Sequence, residues 1–327
     1  MYKDILTVFE AFAGYGGASF ALKRLRARRF LKFNVVGYSE IDQDAIEMYD
    51  LNFPRRKNYG NITDIDEKTL PDFNFFTGGF PCQPFSTIGD RMGEEDKTKG
   101  TLFHDIIRIC SYKKPEFILL ENVKGITVGK LRETYETILE ELRRIGYTPC
   151  PVILNSKDYG IPQNRERLWI FAKRGELPPN FSIIPPQVNL KLHVKDLLDS
   201  NIPEDFYRTD SQLERIHSFE GVPEFEVNEP LCYDYYNRKI RFDGVCMAIT
   251  PPEHNVVRIV EPKLNGKERL RKLTIDEHFR FMGFRIDDKV REIKYPNQTY
   301  TKLGRRAGNG WEINVVTRLL KHIFSQL

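Results

Sequence analysis

Between residues 5 and 174, short apolar runs alternate with stretches of helical period, and this alternation leaves few folds open. Apolar runs separated by amphipathic segments are the mark of strands buried on both faces by crossover helices, as in a parallel α/β sheet. Strands are predicted at Ile5–Phe12, Asn34–Ser39, Phe73–Gly78 and Phe117–Leu120, with two more at 148–154 and 168–173. Helices are predicted at Ala18–Arg29, Asp42–Asn52, Leu102–Lys113 and Lys130–Ile145, the last strongly amphipathic.

The character changes near Lys173. Pro-Pro pairs at 178–179, 185–186 and 251–252 punctuate a stretch rich in aromatics and poor in period. Residues 175–262 therefore read as a smaller, irregular domain. Helical pattern returns at Thr274–Met282 and again where Ile313, Val316, Leu320, Ile323, Phe324 and Leu327 share one face. The first strand begins at residue 5 with no helix before it. A terminal helix packing back beside that strand would complete the first domain. The division expected is then 1–174 plus 263–327, with 175–262 as an insertion.

Lysine and arginine number 50 against 46 aspartate and glutamate, but they are unevenly placed. Residues 1–174 carry a net +3, 175–262 a net −7 and 263–327 a net +8. Such asymmetry can mark a polyanion-facing surface or only solvated helix faces, and charge alone does not choose. The five cysteines, at 82, 110, 150, 232 and 246, form no Cys-x-x-Cys pair and are odd in number. This argues against a disulfide scaffold and a zinc ribbon, and for a reducing, cytoplasmic setting. No metal site is expected. No apolar run approaches a membrane span, and no signal-peptide pattern opens the chain.

Four local patterns carry chemistry. Phe12-Ala13-Gly14-Tyr15-Gly16-Gly17 lies at a strand-to-helix turn, where glycines permit a tight turn and close approach of a ligand or simply close packing. Glu40, at the end of the second strand, is placed to accept from ribose hydroxyls. Asp42 beside it reads better as a helix cap. Gly78-Gly79-Phe80-Pro81-Cys82-Gln83-Pro84-Phe85-Ser86 fixes a cysteine between prolines just past a strand's carboxyl end, the usual ligand edge of such a sheet. The charged, glycine-bearing Thr87–Gly100 after it has the composition of a lid. Isolated cysteines are usually inert filler, the reading kept for the other four. Glu121-Asn122-Val123 ends the fourth strand, and its carboxylate either faces the same edge or serves as a helix cap or salt-bridge partner. Arg165 and Arg167, in Gln163-Asn164-Arg165-Glu166-Arg167, share a face if extended. They suit an anionic or carbonyl ligand, or an ion-pair ladder through Glu166.

Taken together, these residues resemble the DNA cytosine-5 methyltransferase family of bacterial modification enzymes. The resemblance rests on Phe12–Gly17, Pro81-Cys82-Gln83, Glu121-Asn122-Val123 and Gln163–Arg167, in the family's order and spacing. Thr101-Leu102-Phe103, Asp158–Pro162, Arg271-Lys272-Leu273-Thr274, Glu277, Arg280 and Gly283-Phe284 add to it. It covers about 1–174 and 263–327 and implies that 175–262 is the variable target-recognition domain. The implied fold is a Rossmann-like α/β fold that binds S-adenosylmethionine, with that small domain inserted.

The implied reaction adds the Cys82 thiolate to C6 of a flipped-out cytosine, making C5 nucleophilic toward the methyl group. Glu121 would hydrogen-bond N3 and the exocyclic amine, and Arg165 and Arg167 would orient O2 and a nearby phosphate. The resemblance places S-adenosylmethionine against Phe12, Ala13, Gly14, Gly16, Gly17, Glu40, Ile41, Asn61, Ile62, Pro81, Leu102 and Asn309. Glu10 fills an acidic position before the glycine turn. Asn61 stands where the family usually has aspartate, and Gly310-Trp311 follows Asn309 where it usually has a serine. DNA contacts are expected from Ser86, Arg91, Arg238, Lys239, Arg241 and Thr250, although Arg238–Arg241 reads equally as a polar hairpin. Implied partners are double-stranded DNA, engaged by a monomer, and a cognate restriction endonuclease. Two other readings stand beside this one. One is a transfer-RNA cytosine methyltransferase, whose branch typically carries a Cys-Phe-Thr tripeptide that this chain lacks. The other is a low-activity DNA-binding subunit.

Overall fold

The computed structural model describes residues 4–81, 102–218, 222, 224–252 and 257–327. The strand that opens the chain, β1 (Ile5–Ala11), is followed by α1 (Gly17–Ala27), β2 (Lys32–Ser39), α2 (Gln43–Asn52), β3 (Phe75–Gly79), α3 (Leu102–Lys113), β4 (Phe117–Val123), α4 (Arg132–Arg144) and β5 (Tyr147–Asn155). The two-residue β6 (Gln163–Asn164) precedes β7 (Glu166–Arg174). Residues Phe117, Ile118, Leu119 and Leu120 of β4 are all fully buried, which explains a strand apolar on both faces. Burying each such side chain contributes roughly 1.5–3 kcal/mol. Asp42 caps α2, its carboxylate accepting from the N–H groups of Asp44 at 3.0 Å and Ala45 at 3.3 Å. On α4 the buried Ile138, Leu139 and Leu142 form the inward stripe.

These strands form a sheet in the order β2-β1-β3-β4-β7-β5. Strands β1 to β4 pair in parallel, but β7 runs antiparallel to β4. The sheet is mixed, where an all-parallel one was expected. Alternating apolar runs report burial and not direction, and nothing between β5 and β7 has the helical pattern of a crossover.

The remaining elements are α5 (Asp210–His217), β8 (Leu231–Asp234), β9 (Lys239–Arg241), β10 (Cys246–Met247), β11 (Val257–Leu264), β12 (Lys267–Arg271), α6 (Ile275–Phe281), α7 (Tyr300–Asn309) and α8 (Ile313–Ser325). Strands β12-β11-β8-β9 make an antiparallel sheet, and β10 pairs with β6. Residues 175–262 are thus less irregular than their composition suggests. The expected domain edge at 262/263 falls inside β11. That strand turns into β12 through Asn265 and Gly266, both at positive φ (52° and 78°), as a two-residue hairpin of the primed type requires.

The chain divides into two compact units: residues 1–154, 166–186 and 316–327 form one, and 155–165 with 187–315 the other. These units cut the chain elsewhere than the sequence division does, assigning 263–315 with 187–262. In the first unit the last helix sets Phe324 edge-on to Phe75 and Phe117, with ring centroids 5.6 and 5.4 Å apart. The second unit has its own core, in which Phe225, Tyr233, Val260 and Leu270 pack with Leu213 and Ile216 of α5. Arg271, fully buried, is neutralised there by Glu261 at 2.5 Å and Glu277 at 2.8 Å. Thr274 and Glu277 also form the capping box of α6. The Arg271–Thr274 match with Glu277 is therefore a structural knot.

Candidate active site

In the first unit, β3 ends at Gly79, and Phe80 and Pro81 lead toward the cysteine loop. Cys82, Gln83, Ser86, Arg91 and Thr87–Gly100 lie outside the described residues. Their approach is fixed by a residue the motif reading left without a role. The buried Asn122 donates from Nδ2 to the Phe80 carbonyl at 3.1 Å, holding the chain two residues before Cys82. A second polar residue directly after Glu121, still within β4, is the signal that points to it.

Glu121 pairs in register with Gly79 across β3 and β4. On the other side of β4, Val123 pairs with Arg167. Glu121 is thus the diagonal, same-face neighbour of Arg167 across an antiparallel pair. Arg167 Nε lies 3.1 Å from Glu121 Oε1, and both side chains are mostly buried. Burial pushes the Arg167 guanidinium below its ordinary value, and Glu121 opposes the fall. Glu166 turns the other way, to the half-exposed Lys124 at 2.9 Å. The result is an oriented carboxylate with a fixed cationic partner at the carboxyl end of the sheet. It can hold a polar ring edge and meet charge that develops there.

The glycine turn of the same unit serves two purposes. At Gly16 (φ 91°) a Cβ would lie 2.7 Å from the Phe53 ring and 3.0 Å from Tyr49, so this glycine permits packing. At Gly14 (φ 55°) a Cβ would meet nothing within 4 Å, so that stretch of backbone faces open space. The Gly14 N–H donates to Glu40 Oε2 at 2.8 Å, while Glu40 Oε1 accepts from Ile41 and Asp42 at 2.9 and 3.0 Å. Three donors leave a carboxylate further lone-pair capacity for a hydroxyl. Ile41 beside it is 66% exposed, an apolar side chain at a strand's ligand edge. Phe12 takes a left-handed φ of 50° as the chain leaves β1, and Ala13 and Gly17 complete the turn into α1. Ile62 is buried, while Leu102 opens α3 with its side chain against the core; Pro81 is exposed. Asn61 caps a short turn through its own Oδ1, which accepts from Thr63 at 3.3 Å. Open backbone, an accepting carboxylate and an exposed apolar side chain fit an adenosyl group. Glu10 has partners of its own. That carboxylate is buried with Ser19 and Arg56, and burial pushes its pKa up.

In the second unit, Gln163 and Arg165 are built into the structure. Gln163 is fully buried and donates to the Phe281 carbonyl at 2.6 Å, while its Oε1 accepts from the Ile249 N–H at 2.9 Å. Arg165 donates to the carbonyls of Ile249 at 2.7 Å, Gly308 at 3.1 Å and Gly310 at 2.9 Å. The two arginines therefore have different settings, one on a carboxylate and one on a set of carbonyls. Asn309 is exposed at the end of α7, and the bulky Trp311 is buried. Thr250 lies against α7, since a Cβ at Gly308 would lie 2.3 Å from backbone atoms of Thr250 and Pro251. Arg238, Lys239 and Arg241 belong to the β8–β9 hairpin, whose turn is fixed by Asp234 accepting from Tyr236 and Asn237. Arg241 is ion-paired with Asp243.

An α/β sheet with a glycine turn after its first strand and polar groups at its carboxyl edge defines a nucleotide-handling fold. The description C-5 cytosine-specific DNA methylase matches residues 6–325, and the chain belongs to that family. Type II methyltransferase M.Bsp6I of Bacillus sp. (strain RFL6) is 32% identical over 333 residues, covering 99% of this chain and all of that protein. Type II methyltransferase M.NgoBI of Neisseria gonorrhoeae is 31% identical over 320 residues, covering 97% and 91%. Among solved structures, a DNMT2 mutant from Spodoptera frugiperda matches with a TM-score of 0.75 at 20% identity, over 98% of this chain and 99% of that one. That likeness shows the fold, the mixed-sheet fold of S-adenosylmethionine-dependent methyltransferases. The main reading, a DNA cytosine-5 methyltransferase, stands.

Proposed function

We propose that this chain methylates C5 of a cytosine flipped out of duplex DNA, with Cys82 as nucleophile and S-adenosylmethionine as the cofactor. The observation that carries this is the Glu121–Arg167 pair beside a loop start held by Asn122, two residues before Cys82. The Cys82 thiolate adds to C6, and the ring's electrons move toward N3 and C5. Glu121, fixed by Arg167, hydrogen-bonds N3 and the exocyclic amine, while the Arg167 guanidinium faces O2. Arg165 is a positioning residue that holds Ile249, Gly308 and Gly310. The Gly14 backbone, Glu40 and Ile41 would hold the adenosyl part of the cofactor, with Asn61, Ile62, Pro81, Leu102 and Asn309 around it. When bound, that group supplies an electrophilic methyl for C5. Loss of the C5 proton and expulsion of Cys82 then restore the aromatic ring.

The Type II relatives support a place in a restriction–modification system, and we place the chain there as a cytoplasmic monomer beside a cognate endonuclease. Among the described residues no helix is long and apolar enough to cross a membrane. The test is Cys82→Ser with tritiated S-adenosylmethionine and duplex DNA. Methyl transfer should fall by about three orders of magnitude or more, as when a catalytic nucleophile is removed. A variant that keeps wild-type turnover sinks the mechanism. A 5-fluorocytosine duplex should trap a covalent adduct, and an adduct formed with RNA but with no DNA would favour the transfer-RNA reading. Bisulfite sequencing of DNA from expressing cells would give the target site.

A further inference from the structure

Glu40 lies one residue past the end of β2, and β2 is an edge strand of the first sheet. The open side of an edge strand has no ladder partner, so backbone groups there must be satisfied in another way. One side chain, used by no step above, does this for Glu40. Asn58 Oδ1 accepts from the Glu40 N–H at 3.2 Å, and Asn58 Nδ2 donates to the Glu40 carbonyl at 3.0 Å.

Backbone pairing holds Asn58 in place. The Tyr38 N–H donates to the Lys57 carbonyl at 3.0 Å and the Tyr59 N–H to the Tyr38 carbonyl at 2.8 Å, so Asn58 bridges Tyr38 as a short parallel strand would. Arg56 anchors the start of this segment, donating to Tyr49 at 2.9 Å and lying 4.5 Å from the centroid of the Phe53 ring. At its other end Asn58 Oδ1 also accepts from the Gly60 N–H at 3.0 Å. Gly60 has a φ of 73°, and the chain turns there into Asn61 and Ile62. One amide therefore joins the residue that bears the carboxylate to the segment expected around the same ligand.

The Glu40 side chain shows what this fixing is for. Its carboxylate is held by the N–H groups of Gly14, Ile41 and Asp42. With Asn58 on its backbone as well, the carboxylate keeps one orientation, and its remaining lone pairs are free for a hydroxyl. A group ordered in advance adds little ordering cost when the ligand binds.

We infer that Asn58 is a positioning residue of the cofactor site, acting through Glu40 on the ribose hydroxyls of the adenosyl group. This rests on the S-adenosylmethionine reading above and deepens it. The first unit also contains a matched control. Asn74 makes the same pair of backbone bonds, its Oδ1 accepting from the Thr7 N–H at 2.8 Å and its Nδ2 donating to the Ile5 carbonyl at 3.1 Å. It does so at the amino end of β1, and the glycine turn follows the other end.

The experiment is isothermal titration calorimetry of the full chain with S-adenosylhomocysteine. Asn58→Ala should weaken binding by about tenfold, because a misplaced acceptor loses about one hydrogen bond to the ligand. With the 2′,3′-dideoxy analogue, wild type and variant should agree within about twofold, since the coupled partner is then gone. Asn74→Ala should bind S-adenosylhomocysteine within about twofold of wild type. Asn58→Asp keeps the two accepted bonds and should weaken binding by about threefold, which covers the case of an alanine variant that does not fold. Wild-type affinity in either folded Asn58 variant overturns the inference. So does an undiminished loss with the dideoxy analogue, or an equal loss in Asn74→Ala, since either would make Asn58 a structural prop. A wild type that binds no S-adenosylhomocysteine overturns the cofactor reading itself, and this inference with it.

Discussion

Arg165 and Arg167 stand two positions apart in one motif, yet the boundary between the compact units passes between them. Arg167 belongs to the first unit, where its partner is a carboxylate two residues from the end of β4. Arg165 belongs to the second, where its planar fork clamps the backbone carbonyls of residues 249, 308 and 310. A guanidinium suits both tasks, because it offers five donors in fixed directions. The neighbours decide whether it balances a reacting charge or fastens backbone.

Substitutions can break this contrast. After removal of the nucleophile, the largest effect is expected at Glu121. Glu121→Gln keeps the shape and loses the charge, and turnover should fall by about 10²–10³ with the duplex still bound. Turnover within threefold of wild type, in a single-turnover assay, would make the pair a structural ion pair. Arg165→Lys should instead lower the free energy of unfolding by about 3–4 kcal/mol, because an ammonium cannot reach three carbonyls. Arg167→Lys should reduce turnover more than stability. Denaturant melts and rates for both variants would reverse the assignment if the two losses exchanged places.

A third prediction concerns the second unit and acid. His278 is buried, and burial pushes its pKa from 6.5 to about 4, so the folded chain keeps it neutral. The unfolded chain binds that proton at higher pH, so stability rises with pH across this window and is lost as pH falls from about 6.5 to about 4. The loss should approach about 3 kcal/mol, on the order of 1.4 kcal/mol per pH unit. Melts of His278→Gln over this range should show a shallower fall, and an identical one would remove His278 from the account. The smallest effects compare two glycines. Gly308→Ala drives a Cβ into the backbone of Thr250 and Pro251 and should cost about 2 kcal/mol. Gly14→Ala meets open space and should cost about 1 kcal/mol of backbone strain, showing mainly as a raised KM for the methyl donor. Equal melting losses for the two would contradict the reading of Gly14 as ligand-facing.

Much of the first sheet was legible because its strands are buried on both faces. The runs at Ile5–Phe12 and Phe117–Leu120 reappear as β1 and β4 with edges shifted by a few residues. Strand direction was not legible, since β7 has the same composition whichever way it runs. The β11–β12 hairpin is legible in the sequence, since Asn265-Gly266 is a strong local turn signal just past the expected domain edge. No sequence signal distinguishes Arg165 from Arg167. Their partners lie more than 40 positions away along the chain.

The sequence by itself determined the alternation that makes a sheet, the turn that opens at Gly14, and the residue types at the carboxyl edge of the strands. These are local properties, written in period, glycine and spacing. Only the tertiary structure decided what each polar group faces. Glu121 meets Arg167 because β7 runs against β4 in one register. Arg165 became a clamp because residues 249, 308 and 310 turn their carbonyls toward it. A charged side chain's role is fixed by the groups that surround it after folding, and long-range pairing supplies those groups.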